Sequence, residues 1–561
     1  MKIYKLCKKY LLEHKYNLTV YVALVLLTTG IGILSPYIIG SFLDNLIEGG
    51  DINVILRFCA ILGGLNIIKL IKGYITSMMH VKMQAQMGHS FNMNAIKHIQ
   101  SLSLSYSNQQ DMAYLSQRLG TDTISLIAFC ISVLQSIMTN VAMFIIPFVI
   151  LLNLNWIITV ILISFLVIYA VVYLLFKKPL YKAGLALIEI QNKFFASLYE
   201  QLKHIRLIKT NSLQKEMNLR ADSKFTLFKK ATIHRQKVNY FYSGLDGIVS
   251  TVAQIVLFVV GGLQVLAGNF TIGMFTIFTS YFNMMIGASR YFFGLGAYYQ
   301  DALVAYDRVV DILERRPESI GAKIITDINK ITLHDITFSY ASQENSNQII
   351  ECFNAVFTKG KIYCISGVNG TGKSTLTSLI IGMYVDEYCG QITYDGVDIR
   401  DIDMVAVRRH LIGFAEQEPV LINDSIRYNA SFGYNDIENN VNFSETIEIL
   451  NMGEFILGNT MDFIISENNT NTSGGEKQKI SLLKVLQKDP VVMILDEPTS
   501  ALDALTARKF IEHLQKIKRN KIIILITHDE AIKLLCDETI NLSMNHDCDK
   551  SSCHPHIRCT I

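Results

Sequence analysis

Apolar residues dominate the first three hundred positions and then give way to short alternations of strand and helix patterning. Residues 17–43, 124–152, 157–176 and 247–267 carry no charged side chain. Each run reaches or exceeds the ~20 residues that a membrane-spanning helix needs. Residues 271–289 make a further run. Residues 54–75 make another, although Arg57, Lys69 and Lys72 lie toward its two ends, where long side chains can snorkel to the interface. Consecutive charge-free runs of this length exclude the buried helices of a soluble protein. The pattern therefore predicts a multidomain chain that begins with an all-α, six-span transmembrane domain over residues 1–316. Beyond residue 330 the period changes. Lys361-Ile-Tyr-Cys-Ile-Ser366 reads as a short buried strand, residues 374–383 as a helix, and the apolar run from Val491 to Asp496 as a second buried strand. An α/β domain is predicted over 330–545, joined by a linker, 317–329, that Pro317 and Gly321 break.

Composition and charge sharpen this division. Half of the residues are hydrophobic and the formal net charge is only +3, which argues against a nucleic-acid-binding protein. Lys2, Lys5, Lys8, Lys9 and Lys15 precede the first span. Lys82, Lys97 and Arg118 follow the second, and Lys177, Lys178 and Lys182 follow the fourth. The short connections 44–53, 153–156 and 268–269 contain no Lys or Arg. The positive-inside rule then places both termini and the α/β domain in the cytoplasm of a multi-pass cytoplasmic-membrane protein, read here as bacterial. Trp156 suits an interfacial anchor. The N-terminal stretch is too basic, and its apolar run too long, for a cleaved signal peptide. The two inward loops, of about 45 and 60 residues, read as helical.

The chemistry lies in the second half. Gly367-Val-Asn369-Gly370-Thr371-Gly372-Lys373-Ser374 fits the phosphate-binding pattern G-x-x-x-x-G-K-[ST]. Small residues let main-chain N–H groups close around phosphate oxygens, Lys373 adds a point charge, and the Ser374 hydroxyl can ligate Mg²⁺. Thr375 continues the loop. About 120 residues on, the buried strand ends in Asp496 and Glu497, acids suited to holding Mg²⁺ through water and to polarising an attacking water. Between these motifs, Thr472-Ser473-Gly474-Gly475 opens another helix with an anion-receptive start. A chain with one phosphate loop has no evident use for a second, so this one is expected to complete another subunit's site.

The ordered set of the 367–374 loop, Gln417, Ser473-Gly474-Gly475, Asp496-Glu497, Ser500-Ala-Leu-Asp503 and His528 resembles an ATP-binding-cassette ATPase, and the fused membrane half resembles the exporters of that family. The resemblance covers about 200 residues in the family's order. It implies ATP and Mg²⁺ as cofactors. It further implies that Tyr340 stacks on adenine, that Gln417 senses Mg²⁺ and couples to the membrane part, and that Asp503 lies at a dimer interface. His528 would contact the γ-phosphate and, with Glu497 and Gln417, form the catalytic set. Ser374, Gln417 and Asp496 would hold the metal. Thr472 and Glu476 replace the usual Leu and Gln of the signature. Glu467 stands in Ser466-Glu-Asn-Asn, where exporters of the family usually carry a glycine-containing stretch that touches the membrane loops. The usual last strands after His528 are missing or much altered. Coupling helices are expected near residues 106–112 and 211–216.

One cassette and six spans per chain imply a dimer of half-transporters. A homodimer is favoured because each motif for two competent sites is present, and a heterodimer stays open. Residues 192–211 loosely resemble peptide and bacteriocin exporters, so peptide is the first choice of cargo, with drugs or lipids as alternatives. No papain-like peptidase is expected ahead of the first span. An ATP-switched channel is the competing function class. Asn66, Gln135, Gln254, Asn283 and Arg290 either line a cargo cavity or satisfy helix–helix hydrogen bonds. Cys7, Cys59, Cys130, Cys352, Cys364 and Cys389 read as ordinary thiols, and cytoplasmic disulfides are not expected. In the tail 546–561, His546, Cys548, Cys553, His556 and Cys559 could hold Zn²⁺ or Cu(I), although no standard C-x₂-C pair is present and a flexible tail is the default.

Overall fold

A computed structural model describes residues 2–49, 51–109, 112–340, 348–368, 370–432, 443–453, 455–456, 460–466 and 471–542. Asn369 and Glu467, singled out from the sequence, and the Cys/His-rich tail fall outside these residues. The chain divides into two compact units, residues 1–99 with 116–314, and residues 100–115 with 315–561.

The first unit is helical. α1 (Lys2–Glu13) is amphipathic: Ile3, Cys7, Tyr10 and Leu11 recur on one face and are buried, while Lys2, Lys5, Lys8 and Lys9 fall elsewhere. That face packs on Met83, Met87 and Phe91 of α3 (Ile52–Gln100), with Tyr10 stacked on Phe91 at 4.7 Å. α2 (Lys15–Ile47), α5 (Met112–Leu154), α6 (Trp156–Lys203), α8 (Gln214–Leu266) and α9 (Ile272–Leu313) complete the long helices. The short helix α7 (Ile205–Thr210) lies between α6 and α8 in the chain; another, α4 (Leu104–Gln109), lies between α3 and α5 but belongs to the second unit. Asn155 caps α6, its side chain accepting from the N–H groups of Ile157 and Ile158.

Among the described residues, five of the long helices are long and apolar enough to cross a membrane. The sixth expected span, inside α9, is not among them, because Thr, Tyr and Asn dilute its apolar residues. Protein rather than lipid covers much of it: Phe278, Tyr281, Phe282, Met285 and Ile286 are buried. α9 lies against α2 at Gly40 and Gly273. A Cβ on Gly273 would collide with the Gly40 carbonyl oxygen, so only glycine permits the approach. Asp44 seals the same corner, accepting from Gly273 N at 2.7 Å and from the Thr271 hydroxyl at 2.7 Å. A carboxylate there also meets the positive end of the α9 dipole.

Near 211–216, where a coupling helix is expected, the short helix α7 ends at Thr210 and α8 begins at Gln214. The chain turns at Asn211 to Leu213 between them. Ser212 takes the left-handed region at φ 54°, Leu213 N bonds Ile208 O at 3.0 Å and Ser212 N bonds Lys209 O at 3.3 Å. This pair of bonds ends α7 as a Schellman motif, with Leu213 following buried Ile208.

The second unit holds two sheets. β1 (Lys330–Phe338), β2 (Ile350–Thr358), β4 (Cys389–Tyr394) and β5 (Val397–Asp398) form an antiparallel sheet in the order β2-β1-β4-β5. β3 (Lys361–Ser366), β6 (Ile412–Ala415), β7 (Val492–Asp496), β8 (Ile522–Ile526) and β9 (Glu538–Asn541) form a parallel sheet in the order β6-β7-β8-β3-β9. β7 and β8 are buried along their whole length, which explains their unbroken apolar sequences. The architecture is therefore a helical membrane-type unit and an α/β P-loop cassette, as the sequence predicts. α4 belongs to the cassette unit: Leu104 packs on its core, the Ser105 hydroxyl donates to Glu387, and Arg315 lies over the Tyr106 ring at 4.6 Å. The segment after residue 316 is strapped down too. Ser319 N donates to Asp386 at 3.0 Å, and Gly321 passes so near Asp401 that a Cβ would collide with its main-chain carbon.

Candidate nucleotide site

Register in the parallel sheet builds the site. Ile365 pairs with Ile526, and Asp496 pairs with Ile526 from the other side, so β3, β7 and β8 end level with one another. Their C-terminal connections therefore emerge at one edge: the 367–374 loop after β3, Glu497 after β7, and Thr527-His528 after β8. The loop curls because Gly370 and Gly372 take φ values of 86° and 90°, and a Cβ at Gly372 would meet Ile349 at 2.7 Å. It leads into the helix α10 (Lys373–Ile380), whose N-cap is Gly372.

Lys373 Nζ donates to Gly367 O at 2.8 Å and lies 3.0 Å from His528 Nε2. The Ser374 hydroxyl donates to Asp496 Oδ2 at 3.0 Å. Gln417 Nε2 donates to Glu497 Oε2 at 3.0 Å, and His528 Nε2 stands 3.8 Å from Glu497 Oε1. Glu497 holds a left-handed main chain at φ 45°, pinned by its N–H to Ile526 O at 2.9 Å. Strain of this kind persists only where neighbours over-determine it. Burial pushes the Asp496 carboxyl above the usual carboxylate range, and the adjacent Glu497 charge adds to this. The Ser374 hydroxyl, Lys373 and His528 pull it back.

Three predicted groups lie apart from this network. Tyr340 meets Phe338 and Tyr384 edge-on at 5.0 and 5.9 Å, and its hydroxyl is 3.0 Å from Thr375 Oγ1. Ser473 caps the helix Gly474–Lys488, and its side-chain hydrogen bonding stays within that first turn among the described residues. Its hydroxyl accepts from Glu476 N at 3.3 Å while Ser473 N donates to Glu476 Oε2 at 2.7 Å, a capping box. Gly475 lies so close to Ala501 that a Cβ would meet its carbonyl oxygen at 2.8 Å. Asp503 caps the helix Ala504–Ile517, and donors from Thr506 hold its carboxyl below the usual range.

Sequence reasoning missed Gln478. Its amide donates to Glu497 O at 2.7 Å and accepts from Ala501 N at 2.8 Å, tying the Ser473 helix to the acid-bearing turn. It sits one helical turn beyond the Ser473-Gly474-Gly475 motif, and its partners are not readable from spacing alone. Among the candidate membrane residues, Gln254 donates to Asn283 at 3.1 Å and Asn66 donates to its own helix at Leu62 O. Arg290 pairs with Asp246 at 2.8 Å and donates to the Tyr169 hydroxyl at 2.9 Å, joining α6, α8 and α9. Gln135 accepts from the Tyr21 hydroxyl.

The residues fit magnesium and a nucleotide polyphosphate. The donors near Ser374 are oxygens, which suits a hard cation. No group of three His, Cys, Asp or Glu side chains forms a metal cage among the described residues. Mg²⁺ needs none when substrate phosphates supply part of its shell.

Comparison with known proteins places the two halves separately. The family "ABC transporter transmembrane region" matches residues 18–289, and the family "ABC transporter" matches residues 351–500. The lactococcin-G-processing and transport ATP-binding protein LagD of Lactococcus lactis is 25% identical over 523 residues, covering 92% of this chain and 73% of that protein. An ATP-dependent lipid A-core flippase of Desulfotalea psychrophila is 25% identical over 502 residues, 88% of this chain and 86% of its own. ABC transporter B family member 1 of Dictyostelium discoideum is 29% identical over 78% of this chain, which spans about half, 48%, of that relative's length. Among solved structures, a bacterial Atm1-family ABC exporter with ATP bound superposes with a TM-score of 0.82 at 17% identity, covering 94% of both chains, a likeness of fold.

Proposed function

Because the chain belongs to the ATP-binding-cassette transporters, with membrane and nucleotide-binding regions fused, we propose that it exports a peptide across a cytoplasmic membrane. It works as a homodimer of half-transporters driven by ATP hydrolysis. The observation that carries this reading is the linked set Lys373, His528, Glu497 and Gln417 at one sheet edge, in a chain with five membrane-length apolar helices.

Bound Mg–ATP supplies the γ-phosphoryl group and a metal charge that makes it open to attack. Lys373 would hold the phosphates, and Ser374, Asp496 and Gln417 would hold the metal. Glu497 polarises the attacking water and takes its proton, kept in position by Gln417. His528 orients the water. Ser473, Gly474 and Gly475 present their helix start to the ATP of the second copy, a reading supported by the Ser473 side chain bonding within its own turn. Closure around two ATPs shifts the population of the membrane helices, because the nucleotide binds the closed state better. Peptide is favoured over lipid as cargo because the alignment to LagD covers 92% of the chain. The similar alignment to the lipid A-core flippase supports lipid export as the second reading.

The test is phosphate release by wild type and Glu497→Gln in lipid nanodiscs, with peptides, drugs and lipids titrated. Peptide-stimulated turnover that falls by roughly a hundredfold or more in Glu497→Gln supports the proposal. Stimulation by lipid alone selects the second reading. Absence of turnover in pure wild type overturns the homodimer and directs the search to a partner chain.

A further inference from the structure

The membrane unit contains a pocket of about 550 Å³, lined by α2, α3 and α5 and of mixed polar and apolar character. At its floor the Tyr21 hydroxyl lies 2.9 Å from His80 Nδ1 and donates to Gln135. Tyr21 is almost completely buried, so these bonds fix one wall. Seven Ser and Thr residues contribute to the lining. Several of the threonine hydroxyls donate to their own helix, as Thr28 does to Leu24 O and Thr76 to Lys72 O. The hydroxyls of Ser77 and Ser132 have no such partner among the described residues and remain available as donors.

Charge is unbalanced here. Lys69 lines the pocket, and no lining residue is acidic. No ion pair joins Lys69 to a carboxylate among the described residues. Lys69 lies within the apolar run of α3, where an ammonium group is costly unless it faces a partner or a water-filled space. Snorkelling, which the sequence suggests for this residue, explains its tolerance but not its position beside free hydroxyl donors. A cation, two unspent hydroxyl protons and a histidine in one concave space complement an anionic oxygen group.

We propose that the pocket bounded by Tyr21, Lys69, His80 and Gln135 binds an anionic carboxylate or phosphate group of the cargo. This deepens the export reading and rests on it. Lys69 supplies the charge, Ser77 and Ser132 supply neutral donors, and the Tyr21–Gln135 bond holds the wall. A peptide presents such a group as its C-terminal carboxylate, and a lipid presents it as a headgroup phosphate.

Charged thiol reagents test the site without knowledge of the cargo. Ser136→Cys is placed in the full-length protein in phosphatidylcholine nanodiscs. Its modification by an anionic and a cationic methanethiosulfonate is followed by mass spectrometry of that peptide, each rate normalised to a small free thiol. The expected result is a preference for the anionic reagent of roughly fivefold, the Coulombic effect of one nearby charge in a wet site. Lys69→Gln abolishes the preference and Lys69→Arg keeps it. Equal rates, or a preference unchanged by Lys69→Gln, overturn the proposal. A peptide with a free C-terminal carboxylate that protects the introduced thiol where its amide does not identifies peptide as the source. Protection on replacing phosphatidylcholine by phosphatidylglycerol identifies lipid, and protection by neither overturns the assignment. Labelling needs no turnover, so its outcome is separable from the ATPase result with Glu497→Gln.

Discussion

Gln478 binds the main-chain carbonyl of Glu497 at 2.7 Å, so the helix opened by Ser473 is fixed to the turn that carries the acid. The other end of the same amide accepts from Ala501 N, next to the close contact at Gly475. Two segments separated in sequence thus share one buried side chain, which is only 2% exposed. Gln478→Leu leaves Ala501 N without its acceptor and removes the shortest donor to Glu497 O, which Ser500 N and the Ser500 hydroxyl still reach at 3.2 and 3.1 Å. It should cost about 1–3 kcal/mol and lower turnover more than nucleotide affinity. Thermal unfolding with phosphate-release kinetics checks this; an unchanged melting temperature would show that the bond contributes little.

Glu476 puts a carboxylate at the start of the helix that is proposed to meet a second copy's ATP. Glu476→Gln keeps an acceptor for Ser473 N and removes the charge. One fewer negative charge near a polyphosphate is worth about 1 kcal/mol in a wet site, so the apparent KM for ATP should fall several-fold. A KM that stays constant or rises would mean that the carboxylate is remote from the nucleotide.

Gly40 and Gly273 hold α2 against α9. Gly273→Ala drives a methyl into the Gly40 carbonyl and should destabilise the membrane unit by roughly 1–3 kcal/mol. Gly30→Ala, whose added carbon meets nothing within 4 Å, is the control. Melting of both variants in nanodiscs decides; equal melting points refute the contact.

Lys488 is a half-buried ammonium that donates to Arg408 O at 2.6 Å, and desolvation, with the nearby Lys484 charge, brings its pKa down to about 8. The sign comes from proton counts. Between pH 8 and the ordinary value of 10.5 the unfolded chain binds more protons at this residue than the folded one, so stability rises with pH in that window. Lys488→Met should flatten the rise. Melting curves of wild type and variant across that range check it, and parallel pH profiles would rule out the coupling.

Much of the nucleotide site is legible in the sequence because each part is a contiguous motif at the end of an apolar strand. Lys361-Ile-Tyr-Cys-Ile-Ser366 is read as a strand and is β3. Gln478 was not legible, since its partners lie 19 and 23 residues away and bind through main-chain atoms. In the membrane half, hydropathy finds spans but not partners. Gln254 and Asn283 read equally as cavity residues or as helix–helix partners, and it takes the structure to show that they bond each other. Tyr21, His80 and Gln135 sit on three helices, up to 114 residues apart. The family resemblance places a coupling helix only near residues 211–216; the left-handed Ser212 puts a turn there, and a serine gives no glycine-like warning of it.

Residues 100–115 are made about 200 residues before the rest of the unit they join. The cassette is therefore not a contiguous stretch of polypeptide. A fragment cut at residue 315 lacks Leu104 over the apolar core and the Ser105 hydroxyl on Glu387. On the ribosome the early segment must wait, undocked, while the long helices α5, α6, α8 and α9 and the linker are synthesised. Its contacts with the cassette core can form only after residues beyond 315 have been synthesised.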